Sequence, residues 1–295
     1  MRIATRGSEL ALWQAHHVQA LLLGAGVCDD VEIVVVSTSG DRDKVTPLHE
    51  IGGKGIFVKE VQAAVLDDRA DIAVHSAKDM PAISTDELVL GGVPKRGNPH
   101  DVLVGAALGD LPPGARVGTG SVRRRAQLAA LRPDLVFGEL RGNIATRLEK
   151  IVEFDAIVMA AAALERLGEE PAVVGTMTPA QMVPQVGQGA LAIECRVNDG
   201  DTQAALGALD HGQSRRVFEC ERAFLRELGG DCSLPAGAYA TLSDKGLALT
   251  GFLASEDLSF SHQITVHGTE PTGSDGPELG AALAVELRTR IESPR

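Results

Sequence analysis

Aromatic side chains are scarce in this chain: one Trp, one Tyr and seven Phe, 3% of 295 residues. So few rings leave little with which to stack nucleic-acid bases. A formal net charge of −12 likewise works against phosphate backbones and anionic membranes. Long apolar runs are missing too, since the stretch from Ile157 to Leu164 is far too short to span a bilayer. The N-terminal MRIATRGSELALWQ lacks a basic segment followed by an apolar run, so no secretory signal is expected. The four cysteines (Cys28, Cys195, Cys220 and Cys232) form no CxxC pair and no Cys/His metal spacing. Reduced thiols in a cytoplasmic, monomeric protein are the expectation. No HxxxH or HxH pattern supports a metal, and no GxSxG supports a hydrolase nucleophile. GGKGIFVKE (52–60) lacks the Walker spacing and the hydroxyl residue after its lysine, so Lys54 is read as part of a lid or a backbone contact.

What is present is an alternation of strand-like and helix-like segments. Ser8 is placed to cap a helix running to Leu23 and Gly24, with Leu10, Trp13, His17 and Leu21 near helical spacing. VEIVVVS (31–37) is a continuous β-branched run, the pattern of a strand covered on both faces. DIAVH (71–75) reads as a strand and 55–66 as a helix. After Pro94 come DVLVGA, ARVGTG, a helix over Ser121–Leu131, LVFGEL, a helix from Asn143, FDAIVMA and, later, GALAIEC. Strands alternating with helices imply mostly parallel sheets with helices on both faces. Breaker-rich segments at 94–99 and 182–187 bracket an insertion. The expected plan is therefore a discontinuous first domain (1–94 and 188–208), an inserted second domain (99–183) and a third at 212–295. The third reads as α+β: a helix over Arg215–Leu228, segments near Ala238–Thr241, Leu247–Ala254 and Leu258–His267, and a closing helix over Glu278–Glu292. GTEPTGSDGPE (268–278) is expected to be a mobile loop.

Charge is distributed unevenly. Seven arginines (116, 123, 124, 125, 132, 141 and 147) fall within thirty-two residues that hold only Asp134 and Glu139 as acids. A basic island in an acidic chain suggests a confined site for a small anion, with a cleft between two lobes as its expected place. ATRGS (4–8) ends a strand and opens a helix, bringing Arg6, Ser8 and free amides together. GTGSVRRR (118–125) repeats the device with Thr119, Ser121, Arg123 and Arg124. Arginine in a first helical turn opposes the helix dipole, a local cost that an anionic ligand would offset. LRGNIATR (140–147) adds Arg141, Asn143 and Arg147 at a third such junction. Arg125 and Arg132 are expected to make surface ion pairs instead. VHSAKDMP (74–81) sets Lys78 and Asp79 at a strand end, suited to an anion and to cationic N–H groups respectively. Cys28, Cys195 and Cys220 sit in apolar patterns and are expected to be inert. Cys232, on the glycine-rich LGGDCSLPAG loop, could be a nucleophile or an attachment point.

ATRGSELALWQA, GGKGIFVKE, ADIAVHSAKDMP, GTGSVRRRAQL, LRGNIATRL, VGQGALAIECR and GGDCSLPAGAYA occur here in one order. In that order they resemble the porphobilinogen deaminase (hydroxymethylbilane synthase) family, over nearly the whole chain and most weakly in its last fifty residues. The resemblance implies two periplasmic-binding-protein-like α/β lobes with mixed, mostly parallel sheets, plus a smaller C-terminal α+β domain. It implies head-to-tail condensation of four porphobilinogen molecules, each losing ammonia. It also implies a dipyrromethane cofactor joined by a thioether to Cys232. Asp79 would be the catalytic acid. Lys78, Asp79, Thr119, Ser121, Arg123, Arg124 and Arg147 would hold the cofactor. Arg6, Ser8, Lys54, Arg141, Asn143, Arg166 and Gln188 would bind substrate and the growing chain. Glu50, Gly120 and Asp231 depart from the usual family residues, which removes a basic contact, removes a hydroxyl and sets a carboxylate beside the thiol. A periplasmic-type binding protein would share two such lobes, but would carry a signal peptide and need no third domain or loop cysteine. A ligand-sensing regulator would carry a DNA-binding helix pair, and none is visible at either end.

Overall fold

The computed structural model describes residues 1–38, 58–230, 234–270 and 272–293. Lys54, Cys232, Glu50 and Asp231 lie outside the described residues. The chain divides into two compact units, Met1–Gly97 with Ala190–Arg215 and Asn98–Gly189 with Arg216–Arg295.

In the first unit, strands β1 (Arg2–Arg6), β2 (Glu32–Val36), β3 (Ile72–Ser76), β4 (Leu88–Gly92) and β10 (Leu191–Arg196) form one sheet in the order β2-β1-β3-β10-β4. β1 pairs in parallel with β2 and β3, whereas β10 is antiparallel to β3 and β4. Four strands therefore run one way and one against them. Side chains alternate across the pleat. Ile3, Ile72 and Val74 face Ala15, Val18 and Leu22 of helix α1 (Glu9–Gly24). Ala4 and Ala73 face Val61, Ala64 and Val65 of α2 (Lys59–Leu66). Each buried Leu, Ile or Val contributes about 1.5–3 kcal/mol. Helix α6 (Gly200–Gly207) packs on β4, where a Cβ on Gly91 would lie 2.5 Å from Leu206 Cδ1. The β-branched run of β2 is not covered on both faces, contrary to expectation. It forms the sheet edge, and Val35 is 57% exposed.

The second unit builds the same strand plan. β5 (Asp101–Val104), β6 (Arg116–Gly118), β7 (Val136–Gly138), β8 (Ala156–Ala160) and β9 (Val174–Thr176) are ordered β7-β6-β8-β5-β9. β6 is parallel to β7 and β8, and β5 is antiparallel to β8 and β9. Helix α3 (Val122–Leu131) packs Leu128 on Leu103, Val117 and Val158. On the other face, Val102, Ile157 and Met159 meet Leu148 of α4 (Ile144–Glu149) and Leu164 of α5 (Ala161–Leu167). The rest of this unit is an antiparallel sheet of β11 (Ala236–Ser243), β12 (Gly246–Ala254) and β13 (Ser261–His267) with α8 (Gly276–Glu292) and, from Arg216 onward, α7 (Gly212–Glu227). Phe224, Leu249, Leu283 and Leu287 lie in its core. Phe252 and Ala254 pack on Ala126 and Val183, joining β12 to α3 and to the 182–187 segment. The stretch expected to be a mobile loop is tied down at its base. The backbone N–H groups of Thr269 and Glu270 donate to Asp275 Oδ2 at 2.7 and 3.3 Å.

Candidate functional site

In the first unit β1 and β3 are parallel neighbours, so their carboxyl ends lie side by side, the edge where open α/β sheets gather ligand loops. Arg6 ends β1, and Ser8 caps α1, its Oγ accepting from Ala11 N at 3.3 Å. β3 runs into a 3-10 turn, Ala77–Asp79, which presents Lys78 and Asp79 half-buried. The turn is anchored from both directions. Ala77 N donates to Ala190 O at 3.0 Å, ahead of β10, and Met80 N donates to Ala77 O at 3.3 Å. Arg6, Ser8, Lys78 and Asp79 thus share one sheet edge.

In the second unit three parallel strands, β7, β6 and β8, bring their carboxyl ends together. After β6, buried Thr119 accepts from Ser121 N at 3.2 Å, and Ser121 caps α3 by accepting from Arg124 N at 3.4 Å. After β7, Asn143 caps α4 through Thr146 N at 2.8 Å, and Arg147 Nε donates to Gly142 O at 2.8 Å. Arg141 opens the same turn. After β8, Arg166 on α5 donates to Gly189 O at 2.7 Å, and burial pulls its guanidinium down to about 10. It remains a cation at neutral pH. Gln188, fully buried, reaches Pro99 O at 2.8 Å.

The seven arginines of the basic island divide their work. Arg132 pairs with Asp134 at 2.7 Å and donates to the carbonyls of Leu108, Leu111 and Pro112. Arg125 lies over the Phe137 ring and Arg116 over the Phe154 ring. These three are structural; the ion pair expected of Arg132 is present, while Arg125 takes a ring rather than a carboxylate. Arg123 and Arg124 are buried, at 3% and 7% exposed, around one carboxylate, that of fully buried Asp101. Arg124 gives Nε and NH2 to Asp101 Oδ1 at 3.0 and 2.7 Å, and NH1 to Val158 O at 2.9 Å. Arg123 NH1 sits 2.8 Å from Asp101 Oδ2 and 2.6 Å from Val183 O. Burial alone would raise the Asp101 carboxyl, but the two guanidinium groups outweigh it and hold it well below the usual carboxylate range. Burial, with the charge of Arg124 beside it, pulls Arg123 down.

Arg123 Nε, although buried, has no hydrogen-bond partner. Arg123 also borders a hollow at the N-terminus of α3, with Ser121 and Gln185 on the polar side and Val186, Leu225, Leu234 and Ala236 on the apolar side. Leu234 stands two residues beyond Cys232. A Cβ on Gly230 would overlap its side chain, so Gly230 and Leu234, the residues that flank 231–233, are in contact. Across the same region β11 is pressed against the crossing chain, since a Cβ on Gly237 would lie 2.7 Å from Pro184 O, 2.8 Å from Val183 O and 3.1 Å from Arg123 Cδ. Backbone oxygens cannot yield as a side-chain tip can. Gly237→Ala is therefore expected to cost about 1–3 kcal/mol and to displace Arg123, read as a lower melting midpoint together with weaker anion binding.

Three residues important to this arrangement have no part in the sequence-based expectations: Asp101, Gln185, which lines the hollow, and Glu221, which accepts from Gly187 N at 2.8 Å and Ala240 N at 2.9 Å. An acid opening the apolar run DVLV was the available signal for Asp101, since buried acids are rare unless paired. Nothing in the local sequence distinguished Gln185 or Glu221. The thiols of Cys195 and Cys220 are pushed up by burial to about 11 and about 12, which makes both poor nucleophiles, as expected. Among the described residues, no helix is long and apolar enough to cross a membrane.

Residues 1–204 match the family model "Porphobilinogen deaminase, dipyromethane cofactor binding domain", and residues 216–289 match "Porphobilinogen deaminase, C-terminal domain". The chain belongs to the porphobilinogen deaminase family. Among curated relatives, the porphobilinogen deaminase of Nitratidesulfovibrio vulgaris is 45% identical over 97% of this chain and 92% of its own. That of Chromobacterium violaceum is 46% identical over 97% of this chain and 93% of its own. A solved substrate-binding domain of a putative amino acid ABC transporter from Streptococcus pneumoniae aligns with 70% of this chain and 90% of its own. Its TM-score is 0.44 and its identity 10%. Membership in this family makes the protein an enzyme. The matched model is that of a dipyrromethane cofactor domain, and the second unit holds a donor site suited to an anionic group. A buried guanidinium nitrogen lacks an acceptor, a helix N-terminus and a capping hydroxyl adjoin the residue, and Leu234, two residues beyond Cys232, lines the same hollow.

Proposed function

We propose that the protein is a cytoplasmic, monomeric transferase. It would join four porphobilinogen molecules head to tail with loss of ammonia, giving hydroxymethylbilane for tetrapyrrole biosynthesis. The observation that carries this reading, beside the family match, is Arg123. Its buried Nε has no hydrogen-bond partner, and the residue lines the same hollow as Leu234, two residues beyond Cys232. Three functional divisions follow, at 1–94 with 188–208, at 99–183 and at 212–295.

Each pyrrole of substrate, product and cofactor carries an acetate and a propionate, so the ligands are polyanions and arginine is the suitable partner. Ser121, Arg123, Arg124, Arg147, Thr119 and Lys78 hold cofactor carboxylates. Arg6, Ser8, Lys54, Arg141, Asn143, Arg166 and Gln188 bind incoming substrate and the lengthening product. Charge-assisted bonds of this kind contribute about 1.5–3 kcal/mol each. The dipyrromethane, when attached to Cys232, supplies the pyrrole carbon on which the chain is built. Asp79 does the acid–base work. Loss of ammonia leaves the substrate's pyrrole electron-poor, and a carboxylate beside its N–H stabilises that charge. Asp79 also carries a proton toward the departing amine and away from the newly joined carbon. The anchored 3-10 turn keeps its carboxylate in place through four cycles.

Intact mass tests the reading. Purified protein is expected to exceed its sequence mass by one dipyrromethane and to react with Ehrlich's reagent. Cys232→Ser protein is expected to show the bare sequence mass and no turnover. Active protein of unmodified mass would sink the cofactor assignment.

A further inference from the structure

Two buried guanidinium groups share one buried carboxylate, so the Asp101, Arg123 and Arg124 cluster carries one positive charge in excess. The donors are unequally satisfied. Asp101 Oδ1 takes Arg124 twice, at 3.0 and 2.7 Å, and Gln188 Nε2 at 3.0 Å. Asp101 Oδ2 has no hydrogen bond among the described residues and is held only by its ion pair with Arg123 NH1, at 2.8 Å. That single contact, with Val183 O at 2.6 Å, holds one end of the Arg123 guanidinium and leaves Nε without an acceptor beside the Ser121 hollow. Asp101 itself does not line the hollow. A carboxylate bound there within reach of Nε would supply its missing acceptor and complete the charge count, which burial otherwise leaves costly.

We infer that Asp101 is a positioning residue for cofactor capture: it locks Arg124 and Gln188 on one oxygen and aims Arg123 at the ligand with the other. This rests on the proposed function, because the ligand in question is the dipyrromethane. In Asp101→Asn the amide nitrogen replaces an acceptor, so it meets either Arg123 or Arg124 donor to donor. The guanidinium it faces loses its acceptor.

The test uses cofactor-free full-length protein incubated with porphobilinogen and sampled by intact mass, with circular dichroism to check the fold. Asp101→Asn is expected to gain the dipyrromethane mass at least tenfold more slowly than wild type while retaining its spectrum. A purely structural role would lower the melting midpoint of the cofactor-free and loaded forms equally, without slowing capture. A second measurement needs no variant. On loading wild-type protein, the Arg123 Nε–H resonance is expected to shift further than the Arg124 Nε–H resonance, whose proton is already bonded to Asp101 Oδ1. A folded Asp101→Asn protein that loads at the wild-type rate overturns the inference, as does an Arg123 resonance that moves no further than that of Arg124. If the variant does not fold, the resonance measurement decides alone. Wild-type protein that never gains the mass defeats the proposed function itself, a result distinct from both.

Discussion

Asparagine in place of Asp79 is expected to lower turnover about a thousandfold while leaving the attached cofactor and the fold in place. The side chain sits half-buried on a three-residue turn fixed by backbone bonds to Ala190 and within the turn itself. An isosteric amide disturbs neither bond. What the substitution removes is the negative charge and the proton-transfer capacity. Loss of one preorganised electrostatic group costs roughly 10²–10³ in rate, and loss of general acid–base assistance roughly 10²–10⁴. Because both functions fall on one carboxylate they are not additive, and a thousandfold lies within both ranges. Steady-state turnover on variant protein of confirmed holo mass is the measurement. Activity within tenfold of wild type would remove Asp79 from the chemistry.

Leucine in place of Glu221 is expected to cause the largest loss of stability. Glu221 is fully buried on α7, where Oε2 accepts from Gly187 N at 2.8 Å and Oε1 from Ala240 N at 2.9 Å. It therefore joins α7 to the 182–187 segment and to β11 through two backbone donors. Leucine fills the space but accepts from neither. Each buried donor left unsatisfied costs about 1–3 kcal/mol, so about 2–6 kcal/mol in all. For a domain of this size that corresponds to a melting midpoint lower by roughly 5–20 °C. Glutamine retains one acceptor and is expected to recover part of the loss. A leucine variant that melts like wild type would show that the two amides have found other acceptors.

Much of the architecture was legible because local rules and the final structure agree. The caps at Ser8, Ser121 and Asn143 stand where the hydroxyl and amide residues precede apolar periodicity. The strands β3, β5, β8 and β10 are the continuous apolar runs. Disagreement came where packing decides. The β2 run VEIVVVS has the composition of a central strand but lies at an edge, since composition carries no information about which neighbour a strand finds. β4 has no counterpart among the segments read from the sequence; its Gly91 and Gly92 are small because α6 lies against them, with Leu206 in contact. The 268–276 segment has a loop's composition, yet Asp275 draws its backbone amides inward.

The candidate site shows the same division. By itself the sequence determined which chemistry was available: an acidic chain with arginines confined to strand–helix junctions, an Asp after a strand and a cysteine on a glycine-rich loop. Residue type and spacing along one strand or one helix turn are local properties, and local sterics and capping express them directly. Which arginine keeps a buried donor without an acceptor was decided only by the tertiary structure. Arg116, Arg125 and Arg132 are taken up by rings and by Asp134, whereas Arg123 keeps a buried, unpartnered Nε. That selection depends on Asp101, twenty-two residues earlier, and on Val183, sixty residues later. Charges so far apart in sequence become partners only when antiparallel β5 sets its first residue beside the carboxyl end of β8 and burial makes every unpaired donor costly.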